Sequence, residues 1–307
     1  MKKVNLTQFI TELIGQLRKE QRDGTAHVYQ STLNRIVRFT GGKPITFGQL
    51  NAQWLARFET YLLADQLTWN TISTYMRMLR SIYNQAVTLG IAVYVPHLFN
   101  KVHTGVDSPV KRAVSPETMR RLMTDERPLP QAQAFSRDIF VLLFLLRGMP
   151  FVDLAFLRKC DLQGNTIIYH RHKTGRKLSV VVCKEAMEII CRYVNCDPDS
   201  PYLLPIIKDP GRDEYAQYTR MLRNVNYQLS RLVSMLRLKE ALSTYVARHT
   251  WATTALRQNY SSSLICDAMG HSSVKVTETY FQRFKEEEVD RMNRSVVSFI
   301  LSGSSRR

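Results

Sequence analysis

Arg248-His249-Thr250-Trp251-Ala252 is followed by Met269-Gly270-His271-Ser272-Ser273 and, nine residues past that histidine, by Tyr280. This stretch decides how the chain is read. It sets a guanidinium, two imidazoles and a phenol on short segments that can converge on one phosphate. A guanidinium offers a planar donor fork to non-bridging phosphate oxygens, and a neighbouring histidine adds a further donor. A tyrosine hydroxyl is a competent nucleophile once its proton has somewhere to go and the developing charge is held.

Around that stretch the chain is long enough for two domains. Its 307 residues let each of two units bury its own core. The 43 Lys and Arg against 26 Asp and Glu leave a formal charge of +17. Residues 1–110 hold 12 basic and 6 acidic groups, and the remainder hold 31 and 20. A basic tail would concentrate the excess, whereas this spread suits two domains that both touch nucleic acid. The five cysteines (Cys160, Cys183, Cys191, Cys196 and Cys266) form no CxxC pair and no metal-finger spacing, so neither metal nor other cofactor is expected. Their odd number, with no secretory leader, points to free thiols in the cytoplasm, beside the nucleoid. The longest apolar run, Ile139 to Leu146, falls well short of the roughly 18–20 residues of a membrane span.

Residues 1–100 read as a helical domain. Leu6, Phe9, Ile10, Leu13 and Leu17 recur at helical spacing. A second helix is expected from about Thr25 to Arg38, a third after Asn51, and a fourth from Thr71 to Leu89, stopped by Gly90. The fourth interleaves hydroxyls and bases (Thr71, Ser73, Thr74, Arg77, Arg80), the composition of a DNA-facing surface. Val95 to Val110, with Pro96, Gly105 and Pro109, reads as a connection, and residues 101–111 are taken as the linker. The second domain, 112–307, opens at Ser115-Pro116-Glu117, a helix start. An apolar helix from about Ala132 to Arg147 follows. Thr166 to Tyr169 and Leu178 to Val182 are β-branched runs separated by Lys173-Thr174-Gly175, a small hairpin or three-stranded antiparallel sheet. Helices are expected at about 184–194, 214–236, 244–258, 262–269 and 273–283. A final helix carries Val289, Met292, Val296, Val297 and Ile300 on one side. The fold class is therefore mainly α with a small antiparallel sheet: a helical domain plus an α+β domain.

The order Arg-His-Thr-Trp-Ala, Gly-His-Ser-Ser, Tyr resembles the catalytic half of the tyrosine recombinase (phage-integrase-like) family, most strongly from about Arg112 to Phe284. The resemblance implies a helical core-binding domain and a catalytic domain that close on DNA as a C-shaped clamp. It implies that Tyr280 attacks phosphorus, leaving a 3′-phosphotyrosyl bond and a free 5′-hydroxyl, with no cofactor because the bond energy is conserved. Phenols ionise near ~10, so that attack needs help at neutral pH. Arg248 and His271 match phosphate-binding positions, and His249 is expected to buttress them. Lys173, in the hairpin turn, resembles the general acid for the 5′-oxygen. Its neighbours Arg171, Arg176 and Lys177 would grip DNA backbone.

Two departures stand out. Much of the family carries its first catalytic arginine in a Gly-Leu-Arg-x-x-Glu-Leu pattern. Here the matching stretch is Gly148-Met149-Pro150-Phe151-Val152-Asp153-Leu154, with proline in the arginine's place. Arg147 is the expected replacement, and Asp153 fits the acidic buttress. Tyr245 stands where many relatives have a histidine acting as general base. Integrases of anaerobic gut bacteria resemble the chain in both segments, which implies a variant site rather than a decayed one.

The resemblance further implies partners: double-stranded DNA with inverted-repeat core sites, and a homotetramer formed through the C-terminal helix, with an accessory DNA-bending protein as a further candidate. With the first helix starting near Leu6, the arm-binding domain of larger integrases is not expected. Two other classes remain open at this point. One is a DNA-binding accessory protein with a lapsed site, suggested by Pro150 and Tyr245. The other is a type IB topoisomerase-like enzyme with the same Tyr-Arg-Lys chemistry.

Overall fold

The computed structural model describes residues 5–105, 113–281 and 286–301. The chain divides into two compact units, Met1–Pro109 and Val110–Arg307. Most of the linker expected at 101–111 lies outside the described residues.

The first unit is built from α1 (Leu6–Lys19), α2 (Asp23–Phe39), α3 (Ala52–Ala64) and α4 (Trp69–Thr88). Each apolar stripe faces a shared core of Leu6, Ile10, Ile36, Leu55, Phe58, Leu62, Ile72, Met76, Leu79 and Ile82. Side-chain caps fix where three of these helices begin. Asn5 accepts from the Thr7 amide, Asn51 from that of Trp54, and Thr68 from that of Thr71. One sequence expectation fails here. Ser73 is fully buried beside Ile72 on the inward face of α4, so it leaves the DNA-facing set.

The second unit holds α5 (Pro116–Thr124), α6 (Gln131–Leu145), α7 (Phe151–Ala155), α8 (Lys184–Tyr193), α9 (Glu214–Leu236), α10 (Thr244–Arg257), α11 (Ser262–Met269), α12 (Val274–Glu278) and α13 (Glu286–Leu301). Its sheet is three-stranded and antiparallel: β1 (Leu162–Gln163), β2 (Thr166–His170) and β3 (Lys177–Val181), in that order. The β2–β3 register runs from Thr166 opposite Val181 to His170 opposite Lys177. Ile167, Tyr169 and Val180 thereby point into the core. The apolar helix α6 is central, packing on α8, α9 and α10. The helix expected over 273–283 is shorter: α12 ends at Glu278, which puts Tyr280 beyond its C-terminus. On α13, Met292, Val296 and Val297 are exposed, while the side chains of Val289 and Ile300 lie outside the described residues.

A left-handed turn at the end of α6 sets the distance between α6 and α10. Arg147 and Gly148 have φ of +59° and +66°. A Cβ on Gly148 would sit 3.1 Å from the Arg248 Cα, a backbone atom with little freedom to give. Gly148→Ala is expected to cost about 1–3 kcal/mol, the sum of left-handed strain and a displaced α10. Urea unfolding checks this; an unchanged midpoint would show that the turn relaxes at no cost.

Candidate active site

Four successive residues of α10 face four different surroundings. Arg248 is buried against the α6 turn and the end of α11. His249, the next residue round the helix, sets its Nδ1 3.0 Å from the Tyr280 carbonyl oxygen. The Thr250 hydroxyl accepts from the Val114 amide and donates to the Val246 carbonyl. Trp251 packs on a small cluster of Ala252, Ile265, Met269 and Phe281 that also receives the Tyr280 ring.

The Arg248 guanidinium donates to the carbonyls of Gly148 and of Met269, the latter at 2.9 Å, and its Nη2 lies 2.6 Å from His271 Nε2. It makes no ion pair among the described residues. Arg171, expected to grip DNA from the hairpin, instead turns inward from the end of β2. Its Nε lies 2.7 Å from Asp153 Oδ2, and its Nη1 donates to the same Met269 carbonyl that Arg248 uses. Two guanidinium groups thus converge on one oxygen. The positively charged form of Arg248 is disfavoured, first by burial and then by Arg171. Burial raises the Asp153 carboxyl above its ordinary value, with Arg171 opposing the shift.

His271 is 6% exposed and held between two partners, Arg248 at Nε2 and Thr277 Oγ1, 2.8 Å from Nδ1. Arg248 can only donate, so Nε2 accepts and Nδ1 carries the proton toward Thr277. Burial, then the charges of Arg248, Arg171 and Lys173, push this imidazole down to about 3. A histidine whose folded pKa is depressed is neutral at pH 7 and resists protonation only in the folded state. Stability is therefore complete above the unfolded value near ~6.5 and declines as pH falls toward about 3. Thermal unfolding of wild type against His271→Gln across that window should show wild type losing ground. Parallel curves would mean that His271 does not titrate in this way.

The Tyr280 ring stacks on His271, centroids 4.9 Å apart and 20° from parallel, with His249 at 4.8 Å and the Arg248 Cζ 5.4 Å from its centre. The Tyr245 hydroxyl donates to the Tyr280 oxygen at 2.9 Å. Burial, then that bond, raise the Tyr245 phenol well above its ordinary value.

Residues 5–102 match the phage integrase SAM-like domain, and residues 112–287 match the phage integrase family. The chain belongs to the phage integrase family. As such it is an enzyme of the tyrosine recombinase type. Its fold is similar to that of a Tn1549 transposon integrase fragment solved with transposon right end DNA (13% identity, 96% of this chain and 100% of that one, TM-score 0.65). It is also similar to a lambda integrase tetramer bound to a Holliday junction (13% identity, 92% of this chain and 78% of that one, TM-score 0.63). A lambda integrase dimer on a COC′ core site gives 13% identity, 92% and 99% coverage and a TM-score of 0.63. No curated protein matches the chain in sequence.

The other expected site residues of this integrase fall as follows. Arg147 does not join the cluster; its Nη1 reaches the Ser179 carbonyl on β3 at 3.2 Å. The hairpin turn leaves Lys173 and Lys177 exposed, whereas Arg176 bonds inward to the His271 carbonyl and to Asp267. On α4, Arg80 is exposed, Thr71 and Thr74 are half-buried, and Arg77 folds back to the Ser73 carbonyl and the Thr74 hydroxyl. Among the described residues no group of three or more His, Cys, Asp or Glu could hold a metal, and no helix is long and apolar enough to cross a membrane.

One surface went unread in the sequence. On α9, Arg220, Arg223, Asn224, Tyr227 and Arg231 are all exposed. Their spacing puts them on one face of the helix. The recurrence of arginine at intervals of three and then eight residues was the available signal.

Proposed function

We propose that this integrase cleaves and rejoins DNA at specific sites through a 3′-phosphotyrosyl intermediate on Tyr280. The observation that carries this reading is the sharing of the Met269 carbonyl by Arg171 and Arg248, with Asp153 the one carboxylate among the described residues paired to either. Gathering two cations out of water is unfavourable unless an anion completes the set. A scissile phosphate supplies that anion, and the Tyr280 ring already lies over Arg248.

In this reading Tyr280 attacks phosphorus in line and the P–O5′ bond breaks. Arg171 and Arg248 hold the charge that develops on the non-bridging oxygens, where a preorganised donor is most effective. Lys173 gives a proton to the leaving 5′-oxygen. The family's first arginine, displaced here by Pro150, is thus replaced from β2 and not by Arg147. Tyr245 is a donor to the nucleophile's oxygen, the atom that must bear negative charge as its proton leaves, and not the base that removes that proton. We read this as the variant site of integrases from anaerobic gut bacteria.

The exposed arginines of α9 and α4 suit contacts to a duplex in which phosphates set the register and base edges set the sequence. Inverted-repeat core sites, strand exchange through a Holliday junction and a tetramer held by α13 complete the proposal. The exposed Met292, Val296 and Val297 support the last of these. The test is covalent trapping on nicked suicide substrates drawn from DNA flanking the gene. A protein–DNA adduct at a 3′-phosphate is expected; retention of such DNA with no adduct would reject the reading in favour of a non-catalytic binder.

A further inference from the structure

The β2–β3 turn is fastened to the site at several points. Within it, the Arg171 amide donates to the Arg176 carbonyl at 2.9 Å and the Gly175 amide to the Arg171 carbonyl at 2.8 Å. On one side, the His172 amide donates to Asp153 Oδ1 at 2.9 Å. On the other, Arg176 donates through Nη1 to the His271 carbonyl at 3.1 Å and through Nη2 to Asp267 Oδ1 at 3.0 Å. Gly270 lies under the same turn with φ +65°; a Cβ there would come 2.8 Å from Leu178 Cδ1 and 3.3 Å from Arg171 Cγ. Lys173 thus projects from a turn held between Asp153 and the His271 backbone.

We propose that Arg176 is a positioning residue that holds the Lys173 turn against the backbone of His271, so that the proton donor and the histidine bonded to Arg248 move as one piece. The inference rests on the reading of Lys173 as the acid for the 5′-oxygen. Arg176 and Asp267 are 43% and 70% exposed in their side chains, and exposed pairs add little to global stability. The contribution is instead local. Without Arg176 the turn keeps its Asp153 contact and loses its bond to the histidine's backbone, so the ammonium samples more positions than the one in line with the leaving oxygen.

The chemistry of the leaving group separates this role from DNA binding. When Tyr280 attacks an ordinary phosphodiester, the electron pair of the broken bond goes to the 5′-oxygen, which takes a proton from Lys173. With sulfur in the bridging 5′ position the pair goes to a thiolate, which leaves without a proton. A correctly placed acid contributes about 10²- to 10⁴-fold, so its misplacement should cost at least ~10-fold on oxygen and almost nothing on sulfur.

The experiment measures single-turnover cleavage of oxygen- and sulfur-bridged suicide substrates by the full chain as wild type, Lys173→Ala, Arg176→Ala and Asp267→Ala. Arg176→Ala is expected to unfold at the wild-type temperature, to be at least ~10-fold slow on oxygen, and to return to within about threefold of wild type on sulfur. Asp267→Ala should follow the same pattern more weakly. A defect of equal size on both substrates overturns the proposal, as does wild-type speed on oxygen. If sulfur fails to rescue Lys173→Ala, Lys173 is not the acid and the proposal falls with it. If wild type forms no adduct on either substrate, the proposed function itself is rejected.

Discussion

Tyr280→Phe should abolish covalent adduct formation while leaving DNA-site binding within a few-fold of wild type. The substitution removes one oxygen and keeps the ring that stacks on His271 and lies over Arg248. The bonds lost are the one accepted from Tyr245, worth about 0.5–1.5 kcal/mol between neutral groups, and the hydroxyl's interaction with Arg248, whose other donors stay engaged, so the fold should survive. None of the exposed arginines on α4 or α9 depends on that oxygen. Gel-shift titration and denaturing electrophoresis, run on one preparation, separate the two effects. An adduct that persists in the variant would place the nucleophile elsewhere; loss of binding along with cleavage would make Tyr280 an architectural residue.

Replacing the inward-turned arginine gives the second large effect. Arg171→Lys keeps a cation beside Asp153 but loses the fork that also reaches Met269. Cleavage should fall by about 10²- to 10³-fold, the scale of one lost transition-state donor. Arg171→Ala is the less informative variant, because it strands a buried carboxylate at a cost of about 3–5 kcal/mol. Arg147→Ala, by contrast, should cleave within about threefold of wild type, since its guanidinium is spent on the Ser179 carbonyl. A near-normal rate for Arg171→Lys together with a collapse for Arg147→Ala would return the role to Arg147.

These two arginines also show what the sequence held and what it did not. The convergence of Arg248, His271 and Tyr280 was legible because each lies in or next to a short element with its own start signal. Ser243 caps α10 and Ser261 caps α11, while Gly270 ends α11 in a left-handed turn. The inward turn of Arg171, beside an Arg147 that reaches β3 instead, was not legible. It depends on the β2–β3 register and on the paired left-handed residues 147 and 148, which aim one side chain at β3 and let the Arg248 backbone come close. Ser73 was within reach of the sequence. Ile72, Met76, Leu79 and Tyr83 mark the inward stripe of α4, and Ser73, three residues before Met76, falls at its edge. The shortened α12 had no comparable signal: no glycine or proline follows Glu278, and the break is imposed by the Tyr280 carbonyl meeting His249 and Thr253 on α10.

In the proposed tetramer, that last attachment bears on how subunits divide their labour. The main chain of Tyr280 is gripped by α10, the helix that supplies Arg248, so on the function proposed above the nucleophile and its arginine belong to the same polypeptide and are registered to each other before DNA arrives. On that proposal, a subunit built this way is expected to keep its tyrosine for its own arginine. Pooling molecules that lack the tyrosine with molecules that lack the arginine should then yield no competent pair; restored cleavage in the mixture would show that the tyrosine crosses between subunits.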